Sequence, residues 1–286
     1  VDEKKLIERA DGPVTRSRLV RDLTALGVAP GDTLMIHTRM SAIGYVVGGT
    51  HTLISALLDI VGEDGTVMAY CGWNDAPPYD LAKWPTKWRE AARAEWPAYD
   101  PLLSEADHNN GRVPEALRHW PDAVRSRHPD ASFVAVGAAA HQLMEDHPWD
   151  DPHGPGSPLA RLAEDCGRVL LLGAPLDSLT LLHHAEAIAE APGKRHVDYE
   201  QPITVDGRRV WRRFRDVDTE AEAFDYRRVV PEGVWPFTVI AERMLAEGIG
   251  RTGRVGAATS HLFEAPEVVR FGVEWIESRL RAADGT

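Results

Sequence analysis

The sequence predicts an α/β fold, a mixed sheet covered by helices, and three observations carry that reading. Short apolar runs at 33–37, 66–71 and 168–173 have the length and composition of buried strands. Stretches of helical period alternate with them, which is the strand–helix–strand rhythm of a layered α/β protein. A single Asp206-Gly207 pair, flanked by strand-like segments at 197–205 and 208–214, adds a β-hairpin.

Taken in order, Thr15 is placed to cap a helix with Leu19, Leu23 and Leu26 on one face and Gly27 at its end. A turn at Pro30-Gly31-Asp32 feeds the strand at 33–37. Leu53, Ala56, Leu57 and Ile60 define a helix over 50–61, closed by Gly62, and the next strand covers 66–71. Residues 72–112 break the rhythm. They carry Pro77, Pro78, Pro85, Pro97 and Pro101 among Trp73, Tyr79, Trp84, Trp88 and Trp96, an insertion long enough to suggest a binding loop or lid. A helix at 112–119 and a strand at 132–136 follow, then a helix opened by Ser157. Ser178 is expected to cap the helix bearing His183 and Glu186. After the hairpin come a helix over 236–247 and one strand over 255–263. With no repeat and no clean linker, residues 1–286 read as a single domain, with 72–112 as a substrate-binding insertion.

The net charge of −12 over 286 residues argues against a nucleic-acid or anionic-membrane partner and favours cationic ligands. Two cysteines without CxxC spacing suit a reducing compartment. No apolar run approaches the roughly 18 residues that span a bilayer, and the start of the chain is charged rather than leader-like. A cytoplasmic location is expected.

His183 and Glu186 share one helical face, and Asp216 and Asp218 lie on one side of an extended segment. Together they propose an imidazole–carboxylate acid–base site in an acidic pocket. An isolated helical histidine is more often a satisfied core side chain, and that description suits His184, which shares a face with Leu181 and Ile188. His128-Pro129-Asp130-Ala131-Ser132 reads first as a turn. The segment from His37 to Gly44, leading to Gly48-Gly49, has small residues after a strand but matches neither GxGxxG nor the P-loop, so a Rossmann nucleotide site is not predicted. Histidines at 147 and 153 lack any familiar zinc spacing, and no metal is expected. Cys71 is a nucleophile candidate, though a small buried cysteine is the commoner role.

In sequence order, LMIHTRMSAIGYVVGG, YCGWNDAPPYD, EWPAYDP, RSRHPDASFVAVG, GPGSPLARL, VLLLGAPLDSLTLLHHAEAIA, PGKRHVDYEQP and VGAATSHLF together resemble the aminoglycoside 3-N-acetyltransferases. The likeness spans about residues 15–280 and is greatest to the branch from antibiotic-producing actinomycetes that acts on kanamycin-type drugs. It implies the antibiotic N-acetyltransferase fold rather than the GNAT fold, with acetyl-CoA as cosubstrate. It further implies direct acetyl transfer to the 3-amino group of the drug's 2-deoxystreptamine ring, giving resistance to aminoglycosides such as kanamycin and gentamicin. His183 would be the base and Asp216 the residue that orients it, with Asp218 as the alternative register. Thr38, Ser41, Gly44, His128 and Ser132 would hold acetyl-CoA; Trp73, Asp75, Asp100, Glu186 and Asp218 would contact the drug. A homodimer is compatible with the resemblance. The competing readings are an acetyltransferase of another polyamine-like substrate, an enzyme acylated on Cys71, a metal-dependent hydrolase, and a protein that only sequesters aminoglycosides.

Overall fold

The computed structural model describes residues 4, 7–8 and 12–284. Thr15 accepts a hydrogen bond from the Arg18 amide and opens α1 (Arg16–Leu26), and Gly27 ends it at φ +115°, a left-handed geometry that favours glycine. β1 (Thr33–Thr38), α2 (Gly49–Val61) and β2 (Thr66–Tyr70) follow as the apolar pattern requires. The insertion contains α3 (Thr86–Glu95) and leads into α4 (Arg112–Arg118), β3 (Val124–Arg125) and β4 (Phe133–Gly137). Next come α5 (Pro158–Glu164), β5 (Arg168–Leu172), α6 (Leu181–Ile188) and the hairpin β6 (His196–Val205) and β7 (Arg208–Val217). α7 (Pro236–Ala246), β8 (Arg251–Val255), β9 (Ala258–Glu264) and α8 (Ala265–Asp284) complete the chain.

The main sheet has the order β3-β4-β2-β1-β5-β9-β8. β1 pairs in parallel with both β2 and β5, while the outer partners are antiparallel. Alternation along the central strands supplies both faces. Met35, Val169 and Leu171 join the cluster formed with α5, α6, α7 and α8, whereas Leu34, Ile36, Leu170 and Leu172 pack with α1, α2 and α4. The chain leaves β1 toward β2 on one side and returns to β5 on the other. The carboxyl ends of β1 and β5 are therefore a switch point, where open α/β sheets leave a crevice.

Three local expectations are corrected. The strand expected over 255–263 is a hairpin, because Gly256, at φ +59°, reverses the chain between β8 and β9. Ser178 does not cap α6: it ends a 3₁₀ turn, and Thr180 takes the cap position without a side-chain bond. Residues 72–112 are more ordered than a loop, because α3 is clasped to the hairpin. Trp211 Nε1 donates to the Arg93 carbonyl at 3.1 Å, and Arg209 donates to the Trp96 carbonyl at 2.7 Å. The Tyr99 amide bonds the Pro202 carbonyl at 2.8 Å. No helix among the described residues is long and apolar enough to cross a membrane.

Candidate active site

At the switch point lies a cleft of about 540 Å³, bounded by the end of β1 (His37, Thr38) and the residues after it (Arg39, Ser41), by Asn109 to Arg112, and by Pro175 to Thr180 before α6. Its charged lining residues are Arg39 and Arg112; no carboxylate lines it. In a chain of net charge −12, such a cleft suits a polyanionic ligand. Burial pushes the His37 imidazole down to about 4, so this ring is neutral, and its Nε2 has no partner among the described residues.

Three residues beyond Thr180, α6 presents His183. Its Nδ1 donates to Glu186 Oε2 at 2.8 Å, which leaves the lone pair on Nε2. The i, i+3 spacing on one helix makes this contact, and burial completes it: Glu186 is 2% exposed and takes a second bond from the Tyr226 hydroxyl at 2.7 Å. The carboxylate is thus fixed by two donors. Burial and Glu186 together raise the Tyr226 pKa, so its hydroxyl remains a donor. Phe237 meets the His183 ring edge-to-face at 4.7 Å between centroids and limits its rotation.

A second imidazole–carboxylate pair stands beside the first. His153 Nδ1 donates to Asp216 Oδ2 at 2.7 Å, and Asp216 Oδ1 accepts the Val217 amide. Burial lowers the His153 pKa, but the charge and hydrogen bond of Asp216 outweigh it and the net shift is upward. The His153 and His183 ring centroids are 5.4 Å apart. Near this second pair, Asp130 accepts from Tyr79 at 2.7 Å and Gln201 at 3.0 Å, and burial still pushes its carboxyl up to about 6.

A family model described as aminoglycoside 3-N-acetyltransferase matches residues 35–277. This chain belongs to that family. Aminoglycoside N(3)-acetyltransferase VIII of Streptomyces fradiae is 80% identical over 285 residues, which is 100% of this chain and 99% of that protein. The crystal structure of aminoglycoside acetyltransferase AAC(3)-Xa superposes with a TM-score of 0.96 at 66% identity, covering 98% of each chain. AAC-IIIb, solved as a binary complex with CoASH, gives 0.85 at 43% identity over 94% of this chain and 98% of that one. The fold is accordingly the antibiotic N-acetyltransferase fold.

Within this acetyltransferase the residues expected at the site divide sharply. Thr38 and Ser41 line the cleft. Gly44 is not among its lining residues; at φ +103° it sits where a side chain would meet Val14 and Ala257. Asp216 does not orient His183. The β6–β7 register pairs it with Val197, and its carboxylate bonds His153 instead. Asp218 lies past the end of β7 and accepts the Ala221 amide at 2.8 Å, so it shapes a turn. Glu186 is buried behind His183 and is spent on two protein bonds, which removes it from drug contact.

His128 is fully buried, with Nδ1 accepting from the Ala131 amide at 2.9 Å and Nε2 donating to the Trp149 carbonyl at 3.2 Å. Ser132 is fully buried and donates to the Gly72 carbonyl at 2.9 Å. Neither is free for acetyl-CoA: the His-Pro-Asp-Ala-Ser segment is a clamp under the site. Trp73 is buried against Tyr99, and Asp100 caps the Leu102 and Leu103 amides. Asp75 alone of the expected drug contacts in the insertion is an exposed carboxylate.

Sequence reasoning missed His153, Tyr226 and His37 as site residues. His37 and His153 stood inside segments already singled out, but nothing in their spacing marked them. Tyr226 lies 40 residues from Glu186 and had no local signal.

Proposed function

We propose that this enzyme transfers the acetyl group of acetyl-CoA directly to the 3-amino group of aminoglycosides of the kanamycin and gentamicin type, with His183 as general base. The observation that carries the mechanism is the His183–Glu186–Tyr226 chain beside a cleft whose charged lining is cationic. Arg39 and Arg112 suit the phosphates of coenzyme A, and the hydroxyls of Thr38, Ser41, Ser178 and Thr180 suit its amide-rich arm. A polycationic drug is drawn to the acidic remainder of the surface, to which Asp75 on the insertion contributes.

Glu186 holds His183 in the tautomer whose Nε2 accepts a proton, and it stabilises the imidazolium that results. The amine then attacks the thioester carbon as His183 removes its proton. Acetylation deletes one cation from the drug and weakens its attraction to ribosomal RNA, which is the basis of resistance. Residues 72–112 set the range of drugs accepted. The reaction takes place in the cytoplasm. The homodimer belongs to the same reading, and its test is sedimentation, where a mass of twice 31.6 kDa is expected.

Transfer through an acylated cysteine is disfavoured, because burial pushes the Cys71 thiol up to about 12. The test is thiol release from acetyl-CoA with kanamycin, with gentamicin and without drug, for the wild type and His183→Ala. Drug-dependent release that falls by about 10²–10⁴-fold in the variant is expected. Release that persists in a folded His183→Ala protein removes His183 from the base role.

A further inference from the structure

His153 is a buried imidazole that base catalysis by His183 leaves unused, and its setting repeats that of the base. Each ring has Nδ1 fixed by its own carboxylate, Glu186 for His183 and Asp216 for His153, at 2.8 and 2.7 Å. Among the described residues neither Nε2 has a hydrogen-bond partner. The segment carrying His153 is stapled to the helix carrying His183, because His184 Nδ1 donates to the His153 carbonyl at 2.8 Å. The two rings are thereby held 5.4 Å apart at 48°.

We propose that His153 is the proton donor to the departing coenzyme A thiolate, working opposite the base His183, an assignment that rests on the acetyl-transfer reading above. In the tetrahedral adduct the attacking nitrogen and the leaving sulfur are bonded to the same carbon. An atom hydrogen-bonded to His183 Nε2 therefore has its partner across that carbon within reach of an imidazole at this ring spacing. The N–C bond forms and the amine proton passes to His183 Nε2. The C–S bond breaks, its electron pair stays on sulfur, and that sulfur takes the proton from His153 Nε2. One imidazole ends with an added proton and its neighbour lacks one, so exchange between the rings or with solvent restores the starting state.

The groups around His153 suit this division. Asp216 on β7 faces it directly, and its charge and hydrogen bond both favour the imidazolium. Asp130 from the turn before β4 and Glu186 from α6 add to that, while His128 and His147, lowered chiefly by their own burial, stand by as neutral rings. The net direction is upward, so the ring retains its proton nearer neutrality than a free imidazole does.

The decisive experiment compares acetyl donors that differ in the basicity of the thiolate released. S-acetylpantetheine expels a basic thiolate, and S-acetyl-thionitrobenzoate expels one that leaves without a proton. His153→Asn keeps a donor for Asp216 but has no proton to give. The variant is expected to lose about 10²-fold or more with the pantetheine donor and less than about threefold with the aryl donor. Because the ratio is taken within one variant, it does not depend on how much of that variant is folded. Equal losses with both donors overturn the assignment and make His153 a structural residue. Aminoglycoside-dependent thiol release by the wild type with acetyl-CoA tests the acetyl-transfer reading separately. His183→Ala serves as the control, since loss of the base slows both donors alike.

Discussion

Asp130→Asn should raise stability at alkaline pH by an amount that the burial of the carboxyl sets. The group moves from an ordinary value of 3.8 up to about 6 in the folded protein. A raised folded pKa means that the neutral form is the one folding favours. The contribution of Asp130 is therefore fully present below pH 3.8 and is lost as pH rises through about 6. The full span corresponds to about 3 kcal/mol, of which roughly half is already lost at pH 5. Between pH 5 and pH 8 the wild type should thus lose on the order of 1 kcal/mol relative to the variant. Asparagine suits the site, because its carbonyl can still accept from Gln201 and its amide can donate to the Tyr79 oxygen. Urea unfolding at pH 5, 6.5 and 8, followed by fluorescence and circular dichroism, reads the gap between the two proteins. A gap that stays constant, or that narrows as pH rises, refutes the argument that the carboxyl is buried at a cost.

Two further outcomes follow from the site. Glu186→Gln should lower kcat by about 10²–10⁴-fold with little change in KM, because an amide nitrogen facing His183 Nδ1 moves the proton to Nε2 and occupies the basic lone pair; steady-state kinetics with an unchanged near-ultraviolet spectrum checks it. Cys71→Ala should retain drug-dependent thiol release within about threefold, since the thiol is held near 12 and is unavailable as a thiolate; a loss of about 100-fold would return the cysteine to the mechanism.

Local physics made a good part of this protein legible. Periodicity placed α1, α2 and the three central strands, because the amphipathic pattern and the caps at Thr15 and Gly27 act within a few residues. Asp206-Gly207 located the hairpin, both residues adopting positive φ as the tight turn demands. The spacing of His183 and Glu186 predicted one helical face, and the residues meet there.

The partners that come from distant sequence were decided by the tertiary structure. Asp216 is 33 residues from His183 and 63 from His153, and only the packing of the 147–153 segment between β7 and α6 selected the latter. Burial, which no single position in the sequence records, turned Glu186 from a drug contact into a support for His183. It likewise made His128 and Ser132 parts of a clamp and raised Asp130. A carboxylate's role depends on which donors the fold brings to it and how much water it leaves, and both are set by contacts between elements rather than within them.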